Sequence, residues 1–353
     1  MELIPGRYIG KENPSFIIAE IGQNHQGSFE IAKNLIDAAR IAGADCVKFQ
    51  KTNLVHKFTK CALKKPYRSP HSWGETYGEH KKHLEFSEEQ FHLLKLYAES
   101  NNIAFTASAK DIASLEFLIN INVPFIKIGS GDSDDFLLLQ AAAKCGKPLV
   151  ISTGMQDMNR VREVYNMVKL FHTNFAILHC TSSYPTYPED VNLRVIQTFQ
   201  EEFPDISIGY SGHELGIVIS IAAVSLGASI IERHITLNKN DKGSDHMCSL
   251  LPEEFKLMIK EIRIIEKALG NKNKRFLTCE IPCYEKLGKS LVAARTLLEG
   301  TILTEADIMI KVSHPRGIPA KDYQKIIGIK LKQNVLFDEA IQMEHMLFDN
   351  KIN

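Results

Sequence analysis

Short apolar segments alternate with helix-like stretches along the chain up to Gly270, and each segment ends on polar residues. Buried parallel strands show up as continuous apolar runs, and eight such runs that alternate with helices are typical of a closed barrel. The predicted strands are Phe16–Gly22, Ala44–Lys51, Ile103–Ala109, Phe125–Gly131, Pro148–Gly154, Phe175–Pro185, Ile206–Gly212 and Ser229–Thr236. We therefore predict an α/β fold, a (β/α)8 TIM barrel.

The helical stretches between these segments have recognisable ends. Ser28 is a typical helix-capping residue, and Ser87 with Gln90 has the spacing of a capping box. Pro252 is suited to the first turn of the last barrel helix, and Gly270 to its end. These signals support helices between the predicted strands.

One connection and the end of the chain depart from the barrel pattern. Residues 52–86 are polar, aromatic and basic, and a loop of that length at a barrel rim is typical of a lid or binding loop. We predict a catalytic barrel over residues 1–270, a linker over 271–287 and a small second domain over 288–353. In that domain, Ser290–Ala293 and Ile308–Val312 are candidate strands.

Composition excludes several classes of protein. Lys+Arg 42 equals Asp+Glu 42, which argues against a nucleic-acid or acidic-membrane partner. The apolar run Leu215–Ile231 is slightly short for a membrane span and is interrupted by small residues, so we interpret it as a buried helix that leads into the eighth strand.

The N-terminus lacks the apolar core of a signal peptide, and the seven cysteines are scattered. We expect a cytoplasmic protein with reduced thiols.

Two histidines follow neighbouring strands. Active sites of such barrels lie at the carboxyl ends of the strands, where His213 follows strand seven and His234 ends strand eight. Two imidazoles with open coordination positions suit a divalent ion such as Mn²⁺, Zn²⁺ or Fe²⁺. The alternative interpretation is that each histidine is a hydrogen-bonded structural residue, but their placement on adjacent strand ends favours a metal site.

Lysines and serines lie at the same level of the predicted barrel. Lys48 and Lys127 are embedded in apolar strands, where an unpaired ammonium group is costly. Hydroxyl donors next to glycines favour a bound phosphate or carboxylate. These donors are Ser130, Ser152, Ser182 and Ser211. The alternative is that Glu20 or Asp132 pairs with each lysine in a structural ion pair.

Two further acidic residues and the long loop complete the candidate site. Glu20 closes the first strand, where a carboxylate can act as a base, as an outer metal partner or as an acceptor for sugar hydroxyls. Asp245 follows strand eight and suits a metal-shell or hydroxyl-binding role, although an ordinary turn residue fits the spacing as well. The basic loop 52–86 can be a solvated surface or can hold a second phosphate.

Five motifs in order resemble the sialic acid synthase family, and the resemblance spans nearly the whole chain. They are Glu20–Gly27 (EIGQNHQG), Lys127–Asp132 (KIGSGD), Gly209–Glu214 (GYSGHE), Glu232–Thr236 (ERHIT) and Gly243–His246 (GSDH). The animal type of the family is the most similar. The resemblance implies that the second domain is an antifreeze-like (SAF) domain.

The resemblance also implies an activity. It is a metal-dependent condensation of phosphoenolpyruvate with N-acetylmannosamine or its 6-phosphate, in which the 6-phosphate gives N-acetylneuraminate 9-phosphate and phosphate. In that pattern His213 and His234 hold Mn²⁺ or Mg²⁺. The implied phosphoenolpyruvate ligands are Lys48, Lys127, Ser130, Ser152, Ser182 and Ser211. The implied sugar ligands are Glu20, Gln50, Asp132, Tyr184, Asp245 and Arg316, with Glu20, Asp245, Lys48 and Lys127 as catalytic residues.

Two departures from the bacterial pattern and two rival functions stay open. Asp132 stands where bacterial relatives have Glu, which agrees with the animal type, and Arg316 is aligned only loosely with the arginine that reaches a partner subunit's sugar. The family pattern implies a domain-swapped homodimer. One rival function is a synthase that uses an unphosphorylated or different hexosamine, and the other is a non-catalytic barrel whose antifreeze-like domain binds a partner.

Overall fold

The protein was analysed as a computed structural model that describes residues 1–10 and 13–348. Two compact units are present, the first over Met1–Gly270 and the second from Asn271 onward. Residues 349–353, the end of the predicted second domain, lie outside the described residues. Each unit is described by itself below.

The first unit contains a closed barrel of eight parallel strands. The strands are β3 Phe16–Gly22, β4 Cys46–Lys51, β5 Ala104–Ala109, β6 Ile126–Ile128, β7 Leu149–Ser152, β8 Phe175–Cys180, β9 Ser207–Gly212 and β10 Ile230–His234. They follow one another around the barrel, and β10 closes it by pairing with β3. The prediction of a TIM barrel is confirmed. The sixth predicted segment was too long, because β8 ends at Cys180 and the chain then turns into a loop with a cis bond between Tyr184 and Pro185.

A short hairpin precedes the barrel and was not predicted. It pairs β1, Glu2–Ile4, with β2, Arg7–Tyr8. Leu3 and Ile9 are almost fully buried and pack with side chains inside the barrel, including Phe16. Two strands of three and two residues carry too little alternation to be detected in a sequence.

Helices surround the barrel and are α1 Phe29–Ala42, α2 Leu54–Lys57, α3 Lys60–Lys64, α4 Tyr77–Leu84, α5 Glu88–Ser100, α6 Ile112–Asn120, α7 Phe136–Lys144, α8 Met158–Lys169, α9 Pro188–Val191, α10 Val195–Glu202, α11 Val218–Ser225 and α12 Pro252–Leu269. Ser28 caps α1 by accepting from the amide of Ile31, and Ser87 with Gln90 forms the predicted capping box of α5. The run Leu215–Ile231 contains α11 and the start of β10, as expected. Among the described residues, no helix has the length and apolar character needed to cross a bilayer.

The long connection between β4 and α5 is more ordered than its sequence indicated. It contains α2, α3 and α4, which are capped by the side chains of Asn53, Thr59 and Thr76. Phe58 and Tyr77 pack edge to face with ring centroids 5.4 Å apart. We call residues 52–86 the lid segment from here on.

The second unit has its own small core. Strand β11, Ser290–Ala293, pairs with β12, Ile308–Lys311, close to the predicted positions. The remaining elements are β13 Lys330–Leu331, β14 Met346–Leu347, α13 Ile281–Leu287 and α14 Tyr323–Ile326. The predicted linker therefore includes the helix α13. Leu291, Leu297 and Val335 are among the buried apolar residues that hold this unit together.

Candidate active site

The register of the first strands places Glu20 and Lys48 side by side. Glu20 pairs with His234 of β10 on one side and with Lys48 of β4 on the other. Lys48 Nζ lies 2.7 Å from Glu20 Oε2, and the Gln50 amide donates to Glu20 Oε1 at 2.9 Å. Gly22 has a positive φ of 56°, and a Cβ there would lie 3.2 Å from Glu20 Oε1. A glycine is needed at this strand end because the backbone passes so close to the polar groups.

Glu232 joins the two lysines and was given no role in the sequence analysis. Its Oε1 lies 3.7 Å from the Nζ atoms of both Lys48 and Lys127, and it accepts from Ser211 Oγ at 3.0 Å. The available signal was an acidic side chain inside the apolar run of the eighth strand. Burial acts to raise the pKa of Glu232, but Lys127, Lys48 and Ser211 more than offset burial and hold that pKa below its usual value.

Lys127 is hydrogen-bonded to one of the predicted serines. Its amine donates to Ser152 Oγ at 2.7 Å and to the carbonyl of Ile128 at 3.0 Å. Burial lowers the pKa of Lys127, with Glu232 acting in the opposite direction. Lys48 and Lys127 thus come from separate strands and converge inside the barrel. We call these two lysines and the serines around them the lysine cradle.

Ser130 and Ser182 meet around Gly154, on three different loops. Ser130 Oγ accepts from the Gly154 amide at 3.0 Å. A Cβ at Gly154 would collide with Ser182 Oγ and Ser130 Oγ, so a larger residue fits here only if the hydroxyls move. Small residues and hydroxyl groups at this density are suited to binding the oxygens of an anion.

Of the two carboxylates that were alternative partners for the lysines, only Glu20 pairs with one of them. Glu20 pairs with Lys48 as the structural alternative proposed, but Asp132 does not pair with Lys127. Asp132 instead forms an ion pair with Lys57 of the lid segment, because it lies in the short turn after β6 and faces that segment. Burial raises the pKa of Asp132, with Lys57 opposing it.

The protonation of Glu20 determines the charge of the cradle. Burial raises the pKa of Glu20 although Lys48 acts to lower it, whereas Glu20 and Glu232 together raise the pKa of Lys48 against its burial. Two ammonium groups and two carboxylates balance when all are charged. A proton on Glu20 gives the cradle a net positive charge, which favours an incoming anion.

The two histidines lie next to each other. The ring centroids of His213 and His234 are 5.5 Å apart, and 6% of each residue is exposed. His213 Nδ1 lies 3.0 Å from the carbonyl of Thr181, which is the arrangement that fixes the ring of a metal-binding histidine. His234 Nδ1 is buried without a hydrogen-bond partner, and burial lowers the pKa of His234 to about 4.

These two rings fit a divalent ion with positions left open. Neutral imidazoles are the form that binds a metal, and an unpartnered ring nitrogen is available. Among the described residues, no group of three or more His, Cys, Asp or Glu side chains forms a metal site. His213 and His234 would hold an ion here, with its remaining positions open to other oxygen atoms.

Asp245 and Tyr184 border the histidines. Burial acts to raise the pKa of Asp245, but His234, the Ser244 hydroxyl and His213 hold that pKa below its usual value. The Tyr184 ring lies 4.1 Å from that of His213 and is half exposed. These two of the predicted sugar ligands thus lie beside the histidine pair.

Two lysines near the rim were not singled out in the sequence analysis, where Lys110 had no role and Lys81 was included only as part of the basic loop 52–86. Lys110 follows β5 and donates to Gln50 Oε1 at 2.7 Å. Lys81, on α4 of the lid segment, donates to Gln23 Oε1 at 3.1 Å. Nothing in the local sequence of either lysine distinguishes it from an exposed lysine, because both positions depend on the closed barrel and the folded lid segment.

Arg316 belongs to the second unit, so its predicted role as a sugar ligand stays a prediction. Its guanidinium lies over the Tyr284 ring at 3.9 Å from the centroid. Its Nε and Nη2 atoms are buried without hydrogen-bond partners in the described residues.

Comparisons with known proteins identify relatives of the chain. The sequence model described as the NeuB family matches residues 35–274, and the SAF domain model matches residues 288–346. N-acetylneuraminate-9-phosphate synthase of Homo sapiens is 54% identical over 350 residues, covering 99% of this chain and 97% of the relative. N,N'-diacetyllegionaminic acid synthase of Legionella pneumophila is 37% identical, covering 96% of each chain.

A solved structure is similar as well. It is the N-acetylneuraminic acid (sialic acid) synthetase of Leptospira borgpetersenii in complex with citrate, which is 35% identical with a TM-score of 0.70. The match covers 81% of this chain and 95% of that one.

Proposed function

The chain belongs to the NeuB family and carries a SAF domain, and we propose that it condenses phosphoenolpyruvate with N-acetylmannosamine 6-phosphate. The products are N-acetylneuraminate 9-phosphate and inorganic phosphate. The observation that carries this proposal is the convergence of Lys48, Lys127 and serine hydroxyls at the end of the barrel where two imidazoles lie next to each other. The choice of sugar comes from the human, mouse and fruit-fly N-acetylneuraminate-9-phosphate synthases, which are 54%, 52% and 49% identical to this chain.

The cradle accounts for the binding of phosphoenolpyruvate. Lys48 and Lys127 supply cationic donors, and the predicted serines supply neutral ones, two of which lie around Gly154. The charge of the two ammonium groups matters because charge-assisted hydrogen bonds to an anion are roughly twice as strong as neutral ones. Glu232 holds the two amines near each other, because its Oε1 lies 3.7 Å from the Nζ atom of each lysine.

The reaction joins two carbon skeletons and releases phosphate. C3 of phosphoenolpyruvate forms a bond to the sugar aldehyde carbon, water adds at C2, and the C–O bond to phosphate breaks. In this proposal Glu20 and Asp245 accept or donate the protons of the water and the sugar hydroxyls. Holding two anionic substrates in contact supplies much of the acceleration, because it replaces an encounter in solution.

A divalent cation, Mn²⁺ or Mg²⁺, is part of the proposal. His213 and His234 would hold it, and Asp245 lies close enough to both rings for them to help lower its pKa. When bound, such an ion polarises a carbonyl oxygen as a Lewis acid. Its support here is the unpartnered nitrogen of His234 and the adjacent placement of the two rings.

The assembly and location are proposed on separate grounds. The second unit exposes large apolar side chains, with 60% or more of Leu298, Leu336 and Phe337 accessible, and such surfaces mark interaction sites. This supports the homodimer with exchanged SAF domains that the family pattern implies. All seven cysteines are free, which supports a cytoplasmic location.

The test of the substrate is a comparison of two sugars. Phosphate release with phosphoenolpyruvate should be markedly faster with N-acetylmannosamine 6-phosphate than with N-acetylmannosamine. A strong preference for the free sugar would instead favour the rival function, a synthase of the type found in bacteria. No release with either sugar would favour a non-catalytic protein.

A further inference from the structure

Two amines at the rim of the barrel have only neutral partners. Lys110 donates to the Gln50 side-chain oxygen at 2.7 Å, and Lys81 donates to that of Gln23 at 3.1 Å. Within the described residues, neither amine forms an ion pair with a carboxylate. An ammonium group has three donors, so each lysine has capacity left for further acceptors.

The two lysines lie on different elements that meet above the site. Gln23 follows β3, Gln50 lies on β4 and Lys110 follows β5, so three consecutive strand ends contribute. Lys81 is carried over these strands by α4 of the lid segment. Gln50 also donates to Glu20 at 2.9 Å, which connects Lys110 to the carboxylate next to the lysine cradle.

The burial and positive charge of the two amines favour the binding of an anion. Burial lowers the pKa of Lys81 to about 8 and also lowers that of Lys110, and the charge of Lys110 acts against a proton on Lys81. Asp245 acts in the opposite direction on both amines. Asp132 and Glu20 do so on Lys110 as well, and more strongly than Asp245. A sugar placed between Glu20 and Asp245 would thus reach this side of the rim.

We propose that Lys81 and Lys110 form a second anion site, separate from the lysine cradle, that binds the phosphate of a phosphorylated hexosamine. The assignment rests on the proposed function, since it names the groups that select the phosphorylated sugar. The two amines come from the lid segment and from a strand end, so binding of the phosphate also joins the lid segment to the barrel.

The experiment compares Lys81→Met and Lys110→Met with the unaltered protein. For each protein, kcat/KM is measured with N-acetylmannosamine 6-phosphate and with N-acetylmannosamine on the same preparation. We expect the ratio of the two values to fall about 10- to 100-fold in each variant, the loss typical of a charged hydrogen-bond partner. Because both sugars are assayed on one preparation, the ratio does not depend on the folded fraction. Lys82→Met, an exposed neighbour on α4, is the matched control and should keep the ratio.

The outcomes separate this inference from the proposed function. An unaltered protein that prefers the phosphorylated sugar, with variants that keep that preference, would overturn the inference alone. Variants that lose activity equally with both sugars would also overturn it, because that pattern indicates a structural role. An unaltered protein with no preference for the phosphorylated sugar would overturn the substrate assignment and the inference together.

Discussion

Lys48 and Glu20 form an ion pair inside the barrel, with Nζ and Oε2 2.7 Å apart and 3% of each side chain exposed. The strand register puts the two residues opposite each other on β3 and β4. Removing one partner from such a pair leaves a buried charge without compensation. The pair therefore has consequences for stability as well as for substrate binding.

Replacing Lys48 by methionine should lower the free energy of unfolding by about 3 kcal/mol or more. The reason is that Glu20 and Glu232 would remain buried with one cation fewer. Urea unfolding followed by circular dichroism measures the change. Lys33→Met is the control, since Lys33 pairs with Glu30 at the surface and should change stability by about 1 kcal/mol at most. Equal effects of the two substitutions would argue against a buried pair.

Replacing Gly154 by alanine should raise the KM for phosphoenolpyruvate about tenfold or more. The new methyl group would collide with Ser182 Oγ and Ser130 Oγ, so the serine hydroxyls must move away from the anion. Gly131→Ala is the comparison, because a Cβ there meets only Met155 at 4.0 Å. Steady-state kinetics with phosphoenolpyruvate as the varied substrate gives both values. Similar KM values in the two variants would contradict the position of the serines.

Replacing His213 or His234 by alanine should remove the bound cation and reduce kcat about 1,000-fold. A Lewis acid contributes several kcal/mol to such reactions, which corresponds to about that factor. Elemental analysis of the purified protein measures the metal, and phosphate release measures the rate. His92→Ala, at an exposed position on α5, should leave both unchanged. Undiminished phosphate release in the His213→Ala, His234→Ala double variant would show that the metal assignment is wrong.

The preference for the phosphorylated sugar should decline above pH 8. Lys81 faces Lys110, Asp245, Glu85 and the Tyr77 ring, and burial lowers the pKa of Lys81 to about 8. Below that pH its amine is protonated and attracts the phosphate, and above it the charge is lost. The profile of kcat/KM against pH reports groups of the free enzyme, so it should show this step with the phosphorylated sugar. In Lys81→Met the step should be absent, and its persistence there would assign it to another group.

The barrel was predictable because its strands are buried on both faces and therefore appear as apolar runs. The histidine pair was predictable for a related reason, since residues at the ends of neighbouring strands must be neighbours in space. Lys48 and Lys127 stood out as charges within apolar segments.

Other features depended on the folded chain. The position of Glu232 between two lysines requires the register of β4, β6 and β10 together, which no local pattern contains. The pairing of Asp132 with Lys57 depends on where the lid segment folds. Lys110 was missed, and Lys81 was covered only by the general prediction for the basic loop, because each is part of the site only through a partner on another element.

The central claim is that one pocket brings phosphoenolpyruvate and a phosphorylated hexosamine together beside a metal held by two imidazoles. Its most direct test is to incubate the protein with both substrates and to measure product mass and phosphate release, with and without a chelator. The account predicts N-acetylneuraminate 9-phosphate and phosphate in equal amounts, no product once the metal is removed, and recovery when Mn²⁺ is added. Phosphate release without the sugar, or full activity in the chelator, would contradict it.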